Sequence, residues 1–126
     1  MPNIRVTIDQ IEVTKDGDPS GKGQLYWLFK ANNTTISSKS VSAPKKVSSG
    51  ENIDINATQT ITVDDNDTLR VYLSVSDKDS GFDGADESVS RNLTYDASNN
   101  WGDGPLRVNL SDGPLDVTVY GQIDVV

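Results

Sequence analysis

Hydrophobic residues recur along this chain with a period of two over most of its length. Ile4, Val6 and Ile8 share one parity, and Ile11 and Val13 continue on the other. The switch predicts a first strand carrying a bulge near Asp9 and Gln10, since one extra residue restores the inward face. Gln24 to Ala31, QLYWLFKA, is apolar on both parities and predicts a second strand in the middle of its sheet. Ile36 to Ser42 is a weaker, Ser-rich third strand at an edge. Ile53, Ile55, Ala57, Ile61 and Val63 mark a long fourth strand, and Leu69, Val71, Leu73 and Val75 a fifth. Val89, Leu93 and Tyr95 lie on a sixth, Leu106, Val108 and Leu110 on a seventh, and Leu115, Val117, Val119, Ile123 and Val125 on an eighth.

Between these runs lie segments rich in Gly, Asp, Asn, Ser and Pro, such as KDGDPSGKG over 15–23 and DASNNWGDGP over 96–105. Pro44 breaks the ladder in a loop over 43–50. No stretch has the 3.6-residue period of a helix. The pattern predicts an all-β fold, an eight-stranded antiparallel β-sandwich, as a single domain over residues 1–126. If successive strands alternate in direction, the loops over 15–23, 43–50, 77–87 and 111–114 meet at one end.

Two of those loops are acidic. Asp77, Asp79, Asp83, Asp86 and Glu87 fall within 77–87, and Asp16 and Asp18 within 15–23. Close carboxylates repel by roughly 1 kcal/mol or more per pair unless a cation or water screens them. Asp77 and Asp79 share one parity at a strand end, so their side chains converge. Oxygen ligands at irregular spacing suit calcium, which accepts about 6–8 of them. Asp64, Asp65 and Asp67 fall at the other end, where an ordinary turn accounts for them, as a loop position does for Asp103.

Charge and composition narrow the function classes. Nineteen acidic residues against eleven basic give a net charge of −8, which disfavours nucleic acid as a partner. With neither histidine nor cysteine, the chain has no thiolate or imidazole metal site, no disulfide and no His- or Cys-based catalytic arrangement. A carboxylate pair working as in glycoside hydrolysis needs a cleft that solvated loops do not offer, so an enzyme is not expected. Six Asn-x-Ser/Thr sequons are what a chain rich in these residues contains by chance. Trp27 sits in an apolar strand and belongs to the core, whereas Trp101, in a loop, is the candidate for stacking on a sugar. The opening MPNIRVTID has no apolar leader and no membrane span follows, so a soluble protein is expected, either cytoplasmic or a mature or excised extracellular domain.

The segment LRVYLSVSDKDSGFDGADESV resembles the sixth-strand region of C2 domains, where an alternating strand ends in Asp-x-Asp and the loop supplies a further aspartate. The opening IRVTIDQIEVTKDGDPSGKGQLYWLFK is similar to the start of that family. The resemblance implies two loops that clamp two or three calcium ions at an end that often docks on phospholipid. It puts Asp18 at the first-loop ligand position and Asp77 and Asp79 at the bridging pair. Gln24 stands where the family places an aspartate, and Ala85 where it places the last third-loop aspartate, with Asp83 and Asp86 on either side. The implied metal set is therefore Asp16, Asp18, Gln24, Asp77, Asp79, Asp83 and Asp86, holding Ca2+ in one or two non-standard sites. A loaded site would offer an open coordination position to a phospholipid headgroup or a protein carboxylate. Phe82 is the one apolar residue at the loop tip, and Lys45 and Lys46 make a thin basic patch. The alternative is a structural or adhesive sandwich unit of a larger assembly, in which cations rigidify loops. A third reading is an acidic decoy for a basic protein.

Overall fold

The computed structural model describes residues 1–18, 23–78 and 86–126. Asp79 and Asp83, with Phe82 and Ala85, lie outside the described residues. Among those described there are nine strands: β1 Asn3–Asp16, β2 Gly23–Ala31, β3 Thr34–Lys39, β4 Lys45–Val47, β5 Asn52–Thr62, β6 Leu69–Asp77, β7 Glu87–Tyr95, β8 Gly104–Asp112 and β9 Leu115–Val125. They form two antiparallel sheets. One has the order β5-β1-β9-β8; the other has β3-β2-β6-β7, with β4 added to β2.

The period-two pattern becomes the core. Leu69, Val71, Leu73 and Val75 of β6 are fully buried, facing Ile4, Val6, Ile8, Leu115, Val117 and Val119 of the other sheet within one apolar cluster. The parity switch in β1 is the expected bulge: Ile8 pairs with Gly121 and Gln10 with Tyr120, leaving Asp9 unpaired, so that Ile8 and Ile11 both point inward. Gly121 is required there, because a Cβ would stand 2.1 Å from the Thr7 carbonyl oxygen. β2 is central, as its apolar composition predicts, with β6 on one side and both β3 and β4 on the other.

Three expectations need correction. The strand count among the described residues is nine, not eight, because Lys45–Val47 in the loop over 43–50 pairs with Gly23–Leu25. β3 covers only Trp27–Ala31 of that edge of β2, and the open remainder takes up β4 and buries Val47. Pro44 precedes the new strand, where its missing N–H interrupts no ladder bond. Second, Ala97–Gly102 forms a short 3-10 segment, started by an Asp96 side chain that accepts from the Ser98 N–H while the Asn99 side chain accepts from the Asp96 N–H. Third, that segment folds Trp101 into the core at 5% exposure, so its ring is no sugar platform. Trp27 is core, as expected, stacked 6.5 Å from Phe29 with its indole N–H donating to Ser37 Oγ.

Candidate functional site

β6 carries its inward parity to the next inward residue, two positions beyond Val75. That residue is Asp77, whose carboxylate is turned into the end of the sandwich at 3% exposure. The backbone of β2 starts beside it: the Gln24 N–H donates to Asp77 Oδ1 at 2.9 Å, and the Lys78 N–H donates to the Gln24 carbonyl at 2.8 Å. Glu87 is the cross-strand partner of Asp77 on β7 and shares its face, since the register pairs Asp77 with Glu87 and Val75 with Val89. Glu87 Oε2 is buried without a hydrogen-bond partner among the described residues.

The acidic end of β1 approaches from the other sheet. A Cβ on Gly17 would lie 2.7 Å from Asp77 Oδ2, and Gly17 has φ +84°, so glycine meets both the close approach and the left-handed backbone there. Asp16, 5% exposed, ties this turn together: its Oδ1 accepts from the Asp18 N–H at 2.8 Å and its Oδ2 from the Ser49 N–H at 3.1 Å, while its own N–H donates to Ser49 Oγ. The Gly17 N–H donates to the Pro114 carbonyl. The four loops expected at one end therefore do meet, through Asp16, Ser49, Asp77 and Pro114.

The electrostatics follow from that convergence. Burial, the largest cause, pushes the Asp77 carboxyl up to about 6; the Gln24 N–H opposes the shift, and the negative charges of Glu87 and Asp18 add to it. Neither Asp77 nor Glu87 forms an ion pair among the described residues, where the ion pairs are those of the N-terminus with Asp65 and of Arg5 with Asp124. Asp86 accepts from the Tyr26 hydroxyl at 2.7 Å on the outer face of the same sheet. Burial and that bond raise the pKa of Tyr26, with further contributions from the Asp86 and Asp77 charges.

Of the seven sequence-predicted site residues, Asp18 and Asp77 are brought within electrostatic reach of each other, with Asp16 supporting the turn and Gln24 contributing its backbone N–H. Asp86 stands beside Tyr26, and Asp79 and Asp83 lie outside the described residues. Among the described residues no group of three or more acidic side chains is gathered tightly enough to hold a metal ion. Two contributors were missed. Glu87, counted among the acids of its loop but left out of the implied metal set, could have been placed there from its shared parity with Val89, whereas Ser49, remote in sequence, left no signal. Asp64 and Asp67 make the ordinary turn expected of them, through the Asp67 N–H to the Asp64 carbonyl, and Asp103 caps the chain by accepting from the Val125 N–H.

No protein-family model matches the sequence, and no curated protein matches it. Two solved structures are similar over 99% of the chain. One, described as the structure of a C2 domain, is covered in full at 15% identity with a TM-score of 0.48. The other is a human GIVD cytosolic phospholipase A2 in complex with methyl γ-linolenyl fluorophosphonate and terbium chloride, of which the chain spans 17%, at 12% identity and a TM-score of 0.46. The first carries the family name that the sequence patterns suggest. No helix among the described residues is long and apolar enough to cross a membrane.

Proposed function

We propose that the end of the sandwich holding Asp18, Asp77 and Glu87 binds calcium, and that the protein is a cation-responsive binding module and not an enzyme. The observation that carries this reading is the carboxylate of Asp77, nearly covered and facing like charges with no basic partner among the described residues. Such a group is costly in the ionised form, and a cation reverses the sign of its surroundings. The donors fit a hard ion: carboxylate oxygens dominate, and Glu87 Oε2 is buried without a hydrogen-bond partner among the described residues. Asp18, Asp77 and Glu87 are not gathered tightly enough to hold the ion by themselves, so they would do so together with Asp79 and Asp83, the further carboxylates of the same loop by sequence. Bound calcium would neutralise the end and stabilise the fold by mass action. An open coordination position would then take an anionic oxygen from a phospholipid headgroup or a protein carboxylate.

Asp16 supports a second reading, a structural or adhesive unit in which the cation merely rigidifies loops. Both of its carboxylate oxygens are committed to backbone N–H groups, the arrangement of a residue that shapes a turn. Calorimetric titration with calcium, paired with thermal melts in chelator and in calcium, tests the main reading on wild type and on an Asp77→Asn, Asp79→Asn double variant. Heat and a raised Tm in the wild type alone support it; no heat and no shift refute it. A slowly exchanging ion without calcium-dependent binding to anionic vesicles or proteins would favour the structural unit.

A further inference from the structure

The outer face of the second sheet carries a different chemistry at the opposite end of β6. The register aligns Lys30 of β2, Tyr72 of β6 and Asn92 of β7 in one cross-strand row. Arg70 lies two residues before Tyr72, on the same face. These four residues line an open depression of about 400 Å³, together with Asn33 and Asp67 from the turns at that end. Its volume falls within the range of about 300–1,000 Å³ typical of small-ligand sites.

Lys30 and Arg70 are two of only eleven basic residues in a chain of net charge −8, yet neither is in an ion pair among the described residues. Asp67, the one acid lining the depression, has Oδ1 accepting from the Thr68 N–H. The backbone beneath is held firmly. The Asn32 N–H donates to the Arg70 carbonyl, and Asn32 Oδ1 accepts from the Arg70 N–H, so the turn bearing Asn33 is fixed to β6.

We propose that this depression binds an acidic oligosaccharide, a uronate-containing sugar chain. Lys30 and Arg70 complement a carboxylate, Asn33 and Asn92 offer amides that both donate to and accept from hydroxyls, and the Tyr72 ring gives a flat, partly covered surface for a sugar face. This donor set favours a sugar over a bare phosphate, which makes no use of amide acceptors or an aromatic ring. Seven residue-to-residue steps of extended strand, about 23 Å, separate Arg70 from Asp77, so the depression is independent of the cation-binding end.

The test is titration of the whole chain, in chelator, with tri-galacturonate and with neutral galactotriose, followed by calorimetry and by backbone amide shifts. Saturable binding of the uronate alone is expected, with shifts centred on Lys30, Tyr72 and Asn92. Lys30→Gln and Arg70→Ala, both at surface positions, should each weaken it about tenfold or more, the scale of one charge-assisted hydrogen bond. Tyr72→Phe should retain it and Tyr72→Ala should not. Absence of binding, equal binding of the neutral sugar, or tighter binding of inorganic phosphate or of anionic lipid vesicles would overturn the proposal. So would uronate binding that appears only when calcium is restored, because the ligand would then sit at the acidic end. Failure of calcium to bind leaves these expectations unchanged.

Discussion

Replacing Asp77 by Asn should raise stability in chelator and lower it in calcium. The amide is nearly isosteric, its oxygen can still accept from the Gln24 N–H, and its nitrogen can donate to the neighbouring Glu87 carboxylate, whose Oε2 has no hydrogen-bond partner among the described residues. What is lost is a charge that the folded state disfavours. A carboxyl raised from 3.8 to about 6 corresponds to about 3 kcal/mol at full desolvation. Because the strand end adjoins solvent, about 1–2 kcal/mol is the fitting expectation after screening. For a chain of 126 residues that amounts to about 3–10 °C in Tm. In saturating calcium the wild type gains the binding energy and the variant does not, so the order of the two melting curves should reverse. Scanning calorimetry of both proteins in both conditions reads the four values directly. A variant less stable than wild type in chelator would refute the reasoning, since the charged bond from Gln24 would then outweigh burial and like-charge repulsion.

Other expectations follow from the same geometry. In chelator, the difference in Tm between wild type and Asp77→Asn should be smallest near pH 4 and grow to a plateau above pH 6, because an acid with a raised folded pKa loses stability as pH rises from its ordinary value through the folded one; denaturant titrations at stepped pH check this, and an opposite slope contradicts it. Gly17→Ala should cost about 1–3 kcal/mol and perturb cation binding, since the new methyl meets Asp77 Oδ2 and φ is +84°; a neutral result by urea melt would mean that the turn moves freely. Asp16→Ala removes acceptors from two backbone N–H groups and should cost about 1–3 kcal/mol with faster amide exchange at Asp18 and Ser49. Phe29→Ala, fully buried in the central strand, should cost about 3–5 kcal/mol by the same melts.

The alternation of apolar residues by itself determined which face of each long strand is buried, because a strand's side chains have only two directions. It fixed the bulge at Asp9 for the same reason: two inward runs of opposite parity cannot share a strand without an extra residue. It also brought the acidic loops to one end, since antiparallel strands alternate in direction. Tertiary structure alone decided the rest. Lys45–Val47 has no strand pattern of its own and pairs because β3 leaves part of β2 uncovered. Trp101 reads as a loop residue and is buried because a capped 3-10 segment folds its ring inward. Asp16 and Asp18 look alike in sequence, yet the contact with Ser49 makes the first a turn-former and leaves the second facing Asp77. Glu87 and the row of Lys30, Tyr72 and Asn92 depend on register between strands far apart in the chain. Local periodicity specifies the direction of a side chain; only the pairing of strands specifies its neighbours.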